Sequence, residues 1–146
     1  MTPGSRAWSE RALRQLSEAG FRSGGGRRQV VELLGAEGCA LTALEIDRRL
    51  PGVGRATVYR ALEQLESLGL IQRVDVRRDS VGFERVDPGG HHHHHIVCEQ
   101  CGRVVAFQDD RLERAIHALA ERPDFSVSSH EVTLRGECAS CGREAG

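Results

Sequence analysis

Apolar residues in the first half of the chain recur at three- and four-residue intervals and then switch to alternation, which predicts short helices followed by a hairpin. Ser9 is placed to cap a first helix that turns Ala12, Leu13, Leu16 and Ala19 inward, with Gly20 where a helix stops. Arg22 to Gly26 reads as a loop. A second helix from about Arg27 to Leu34 buries Val30, Val31, Leu33 and Leu34 and ends in the glycine-bearing stretch Gly35 to Gly38. Thr42-Ala-Leu-Glu45 is a capping box, so a third helix runs to about Leu50 before Pro51 and Gly52 break it. From Arg55 to Leu68, the residues Val58, Ala61, Leu62, Leu65 and Leu68 fall on one face of a fourth helix, leaving Ala56, Tyr59, Arg60, Glu63 and Ser67 outward, and Gly69 ends it. Ile71 to Val76 and Gly82 to Val86 read as strands around the turn Arg77-Arg-Asp-Ser80, a basic hairpin. Helices, then a helix with outward Arg and Tyr, then a basic hairpin is the order of a winged helix-turn-helix.

Asp87-Pro-Gly-Gly90 reads as a hinge. Beyond it His94 to Cys98 and Val104 to Phe107 are expected as strands, Asp109 to Glu121 as a helix, and Ser126 to Arg135 as a strand with alternating Val127, Val132 and Leu134. The expected fold is therefore α+β: a winged helix-turn-helix over 1–86, the hinge 87–90, and a small α/β domain over 91–146.

Composition changes this picture little. The 146 residues contain nothing near the roughly 18 consecutive apolar residues of a membrane span, and Met1 to Glu10 has no apolar core of a secretory signal. A cytoplasmic chain with no membrane partner is expected. The net charge of −1 argues by itself against a nucleic-acid binder. It conceals an asymmetry, because residues 1–86 hold 14 Arg against 11 acidic residues and residues 87–146 hold 6 against 10. The positive half is the one with the helix-turn-helix order.

Cysteine spacing carries far more. Four of the five cysteines form Cys98-Glu-Gln-Cys101 and Cys138-Ala-Ser-Cys141, each followed by glycine, and Cys39 stands alone. A Cys-x-x-Cys turn points both thiolates at one ion, and two such turns complete a tetrahedral four-thiolate zinc shell. A redox dithiol would need only one pair. The run His91 to His95 lies three residues upstream of the first knuckle. On an extended strand His92 and His94 point one way and His93 and His95 the other, so one strand can feed two metal sites. Glu113 and His130 are candidates to complete one of them, Glu84 and Cys39 the other. Taken singly, Glu113 is more often a solvated helix residue and His130 a surface or core histidine; His117 is read as structural.

The stretch from Gly54-Arg-Ala-Thr-Val-Tyr-Arg60 into Leu62-Glu-Gln-Leu-Glu-Ser-Leu-Gly-Leu-Ile71, then His92-His-His-His-Ile-Val-Cys-Glu-Gln-Cys-Gly102, then His130 and Gly136-Glu-Cys138 with Cys141, resembles the ferric uptake regulator family over roughly residues 22–142. The resemblance implies that the second domain dimerises and that the first binds double-stranded DNA at a near-palindromic operator. It places Tyr59 and Arg60, with Arg55 and Thr57 of the same run, on the DNA-contacting helix, and Arg27 near phosphates. It implies structural Zn2+ at Cys98, Cys101, Cys138 and Cys141, a site inside the dimerisation domain at His92, His94, Glu113 and His130, and a regulatory site at Glu84, His93 and His95. The regulatory ion would be Fe2+ or Zn2+, with Mn2+ or Ni2+ as further choices.

Two departures from the family pattern bear on the sensed metal. Iron and peroxide sensors usually take a further His from the third-helix region, where this chain has Ala40 beside Cys39. The zinc-sensing branch often takes an Asp after the fourth helix and a Cys at the hairpin end, where this chain has Gln72 and Val86. A Cys39 thiolate would tilt the regulatory site toward zinc, while nitrogen and oxygen donors alone suit iron, manganese or nickel. The expected function is a metal-dependent DNA-binding repressor of metal-homeostasis genes with no small-molecule substrate, in which metal favours the DNA-competent dimer. The alternatives are a peroxide-responsive regulator of the same family and a metal buffer or chaperone; the latter leaves the Tyr59-Arg60 helix without a purpose. A zinc hydrolase is disfavoured, since no His-Glu-x-x-His motif exists.

Overall fold

Buried positions spaced three and four residues apart build the helical part of the first half, and they begin earlier than the hydropathy suggests. The computed structural model describes residues 3–22, 24–77, 79–87 and 93–144. It divides into two compact units, Met1–His91 and His92–Gly146.

In the first unit α1 spans Pro3–Glu18, so Ser9 is an interior helix residue and not its cap. Ser5, Trp8, Ser9, Ala12 and Leu16 form the buried stripe, and Ala19, expected inward, is exposed. The cause lies in α2 (Gly25–Ala36), which packs against α1. A Cβ at Gly35 would stand 2.1 Å from Ser9 Oγ and 3.2 Å from the Ser5 carbonyl oxygen, so only glycine allows the two helices to come this close. Ser5 Oγ donates to the Gly35 carbonyl at 2.5 Å, and Arg85 Nη1 donates to the same oxygen at 2.7 Å. Gly35 therefore serves helix packing; α2 ends at Ala36, inside the stretch expected to end it, but it begins at Gly25, within the segment expected as a loop.

The remaining elements of this unit are β1 (Leu41–Thr42), α3 (Ala43–Arg49), α4 (Arg55–Ser67), β2 (Ile71–Arg77) and β3 (Ser80–Arg85). The capping box forms as the sequence requires: Thr42 Oγ1 accepts from the Glu45 amide at 3.2 Å, and the Glu45 carboxylate accepts from the Thr42 amide at 2.7 Å. α4 buries Val58, Ala61, Leu62 and Leu65 and ends at Gly69, whose φ of 68° lies in the left-handed region that glycine enters without strain. The strands make one antiparallel sheet in the order β1-β3-β2, with Leu41 opposite Phe83 and Ile71 opposite Arg85. Trp8, Leu16, Val30, Val31, Leu34, Ile46, Val58 and Leu65 share a single core, each contributing about 1.5–3 kcal/mol by burial. Trp8 Nε1 and Arg11 Nη2 both donate to the Val86 carbonyl, at 3.1 and 3.2 Å, which fixes the end of the hairpin to α1.

In the second unit β4 (His94–Cys98) lies between β5 (Val104–Phe107), antiparallel to it, and β6 (Thr133–Gly136), parallel to it. Asp109 caps α5 (Asp110–Ala120) by accepting from the Arg111 and Leu112 amides. A short α6 (Ala139–Glu144), absent from the sequence reading, follows the second knuckle. The strand expected from Ser126 is confined to Thr133–Gly136, and among the described residues 126–131 join no strand.

Candidate metal centres and nucleic-acid face

The four cysteines converge. Their sulfurs all lie within 4.8 Å of one another, with Cys101 Sγ 3.9 Å from Cys138 Sγ. Each knuckle is closed by the glycine after it: Gly102 N–H donates to the Cys98 carbonyl at 2.8 Å and Gly142 N–H to the Cys138 carbonyl at 2.9 Å, with Gly102 at a φ of 74°. The Cys138 amide also donates to Cys98 Sγ at 3.3 Å, linking one knuckle to the other. Amides of Cys101, Cys138 and Gln100 directed at Cys98 lower its thiol to about 6, so it is a thiolate at neutral pH. Cys141, hydrogen-bonded to the Cys138 sulfur and crowded by the other two, is pushed up to about 12. Cys138 is also lowered, chiefly by the Cys141 amide directed at it, and a divalent soft-ligand ion such as Zn2+ fits this four-sulfur donor set.

A second cluster lies on the α5 side of the sheet. Glu113 takes His94 Nε2 on one carboxylate oxygen at 2.5 Å and His130 Nε2 on the other at 2.9 Å. These contacts hold the Glu113 carboxyl below its ordinary value, His94 contributing most. His94 is fully buried, and its Nδ1 accepts from the Val132 amide at 3.2 Å. His92, assigned to the same set, lies outside the described residues.

The regulatory-site residues are described within their own units. His93, just ahead of β4, and His95 on it stand two residues apart, with ring centroids 5.2 Å apart and edge to face. Glu84 is buried on β3, where Gln72 Nε2 donates to its carboxylate at 2.6 Å. Gln72 was noted in the sequence only as a missing Asp; here it orients the carboxylate. Cys39 is half-buried ahead of β1 and joins no metal-capable cluster among the described residues of the first unit.

On α4, Tyr59 and Arg60 face outward, with Tyr59 52% exposed. Arg55 is exposed and pairs with Asp47 of α3 at 3.2 Å, which braces the two helices against each other. Arg27, Thr57 and Arg60 line a cleft of about 590 Å³ together with Arg22 and Gln64. The N-terminal ends of α2 and α4 open onto it through Gly24 and Gly54, neither of which caps its helix with a side chain. Free helix N–H groups and three guanidinium groups make this cleft attractive to anions. Arg27 Nη1 is buried without an acceptor among the described residues, and so is Gln64 Oε1 without a donor. Gln64 escaped the sequence reading; its signal is its position one helical turn after Arg60.

Known proteins resemble this chain along most of its length. The model of the Ferric uptake regulator family matches residues 18–135. The chain is 30% identical over 136 residues to the peroxide-responsive repressor PerR of Staphylococcus aureus, covering 90% of each chain. It is 39% identical over 89 residues to the ferric uptake regulation protein of Legionella pneumophila, a match spanning 61% of this chain and 64% of that one. Among solved structures, the Vibrio cholerae ferric uptake regulator, a protein with rearranging DNA-binding domains, superposes with a TM-score of 0.75 at 31% identity, covering 86% of this chain and 98% of its own.

Proposed function

This chain belongs to the ferric uptake regulator family, whose members are transcription regulators and not enzymes, and from that premise we propose how metal controls it. The protein is a metal-dependent transcription regulator. Its four cysteines hold a structural Zn2+. Glu84, His93 and His95 take a second divalent ion, Fe2+ or Zn2+, and the loaded homodimer represses metal-homeostasis genes in the cytoplasm by binding a near-palindromic operator. His94, Glu113 and His130, joined by His92, hold an ion within the second unit.

One observation carries this reading: the chain combines an outward, basic α4 face beside an arginine-lined cleft with a strand that directs one histidine pair, His93 and His95, away from the Glu113 cluster. Such a strand serves two ions. In the proposal Tyr59 and Arg60 meet bases, while Arg27, Arg55 and Thr57 seat phosphates, which sets register without reading sequence. The regulatory ion biases DNA affinity only by binding the competent dimer more tightly than other forms. Gln72 supports a nitrogen and oxygen shell by fixing the Glu84 carboxylate. The similarity to PerR raises peroxide response as a second reading, but the histidine expected beside Cys39 is Ala40, which cannot be oxidised in that way.

The test is operator binding followed against metal concentration. His93→Ala is expected to abolish the metal response while leaving the cysteine zinc and the dimer intact, because the thiolate shell shares no ligand with it. Arg60→Ala is expected to weaken operator binding by about 1–3 kcal/mol at saturating metal. A His93→Ala curve that still follows added metal like the parent protein would sink the proposed regulatory site.

A further inference from the structure

Two positions at which the sequence departs from the family pattern, Ala40 and Gln72, fall on either side of one residue. β3 is the middle strand of its sheet, so Glu84 has a lateral neighbour on each side. On the β1 side, one step beyond the pairing of Leu41 with Phe83, stands Ala40. Ala40 is buried, and a Cβ added at Gly82 would lie 3.0 Å from its Cβ and 2.6 Å from Val76 Cγ2, so this side is closely packed and apolar. On the β2 side the register sets Gln72 directly opposite Glu84. Its Nε2 donates to Glu84 Oε1 at 2.6 Å, whereas an alanine side chain has no donor to offer.

Glu84 is 5% exposed, and a carboxylate so far out of water keeps its charge only where donors or cations meet its oxygens. A bond of 2.6 Å from an amide to a carboxylate is short and charge-assisted. It also decides which oxygen meets a cation. The amide hydrogen, itself partly positive, stands in front of Oε1, so an ion held by Glu84 meets Oε2 with the least repulsion. A grip through both oxygens would weaken the bond from Gln72. The difference matters to the choice of ion. Ca2+ fills a shell of six to eight oxygens with one or both oxygens of each carboxylate, and Mn2+ also seeks oxygen, whereas a four-coordinate ion such as Zn2+ is satisfied by one.

We propose that Gln72 is a specificity-determining residue of the regulatory site: by holding Oε1 of Glu84 it limits that carboxylate to one coordinating oxygen and favours ions with few ligands over larger, oxygen-seeking ones. The inference rests on the reading that Glu84 is a ligand of the regulatory ion. Gln72 acts through Glu84 and is not itself a ligand. A glutamine that only steadied β2 against β3 would leave the order of ion affinities unchanged, and that order is what separates the two roles.

The test uses the full chain with zinc at the cysteines and with His130→Ala, which takes a ligand from the Glu113 cluster. Co2+ binding is followed by visible absorption and Mn2+ binding by loss of the free ion's electron paramagnetic resonance signal. Gln72→Met keeps the length of the side chain and deletes the donor. It is expected to lower Co2+ affinity about tenfold or more. Mn2+ affinity should fall less, because Glu84 can then offer both oxygens, so the preference for Co2+ over Mn2+ narrows by about threefold or more. Should the methionine variant fail to fold, Gln72→Ser, which lets water reach Oε1, is expected to narrow the preference in the same direction. Affinities that both fall by one factor, or that do not fall, overturn the proposal. Glu84→Gln separates this result from the reading beneath it and should abolish the Co2+ binding that Gln72→Met weakens. If Glu84→Gln binds Co2+ like its parent, the regulatory-site reading fails and the Gln72 assignment falls with it. If Glu84→Gln loses the ion while Gln72→Met binds it unchanged, the Gln72 assignment alone fails.

Discussion

In the first unit Trp8, Leu16, Val30, Val31, Leu34, Ile46, Val58 and Leu65 are each at most 1% exposed and lie in one cluster. In the second, the described apolar residues that are buried are Val97, Cys98 and Val104, and α5 buries none of its residues. Leu119, Phe125, Val127 and Leu134 stay exposed there. A unit of about fifty residues with so small a core cannot offset the entropy of ordering its backbone by burial alone. It needs a metal staple, a partner, or both. The four-sulfur cluster is the first, and the proposed dimer is the second. The first unit can be altered one packing contact at a time; the second depends on a few strong bonds.

The largest effect should therefore come from a single sulfur. Cys98→Ser or Cys138→Ser is expected to lose the structural zinc and the dimer together, because apparent zinc binding energies of about 10–16 kcal/mol are also folding energies in such sites. Metal content and size-exclusion chromatography measure both losses at once, and a stable dimer with full zinc in either variant would break the contrast between the units. Acid should act on the same cluster. Cys98 is lowered to about 6, so zinc competes with few protons for that sulfur at pH 7 and with progressively more as the pH falls through 6.

A smaller, local loss is expected in the first unit. Trp8→Ala removes a fully buried ring and its bond to the Val86 carbonyl, for a cost of about 3–5 kcal/mol. The thiolate shell lies in the other unit, so the structural zinc should be retained while the midpoint of denaturant unfolding drops. Loss of zinc in Trp8→Ala would show that the two units do not keep separate accounts of stability.

How far the sequence could be read follows the same division. The apolar stripe of α4, the capping box of α3 and the hairpin are written in local patterns, and they fold as read. The start of α1 was missed because its buried face includes Ser5 and Ser9, polar residues whose place is set by Gly35 on another helix. The stretch 126–131 alternates like a strand, yet Val127 is exposed and the stretch joins no strand among the described residues. Among the site residues, the Cys-x-x-Cys pairs could be read from spacing alone. The His94, Glu113 and His130 cluster needed β4, α5 and the segment before β6 to meet, and Gln64 and Gln72 carry no motif, so only the folded chain shows what they stand beside.

The smallest effect tests how far a strongly local signal decides stability. α3 has only seven residues, too few to persist without help at its ends, and the Thr42–Glu45 box satisfies two backbone amides that would otherwise lack partners at its start. Thr42 also ends β1, which pairs with β3, so the cap joins the helix to the sheet. Thr42→Ala keeps the backbone and the strand pairing but deletes the oxygen that accepts from the Glu45 amide, and should lower the stability of the first unit by about 1 kcal/mol. Thr42→Ser, which keeps that oxygen, should recover most of the loss. Denaturant midpoints of the three proteins at equal unfolding slope measure the difference. If Thr42→Ser is as unstable as Thr42→Ala, the loss comes from the threonine methyl group and not from the cap.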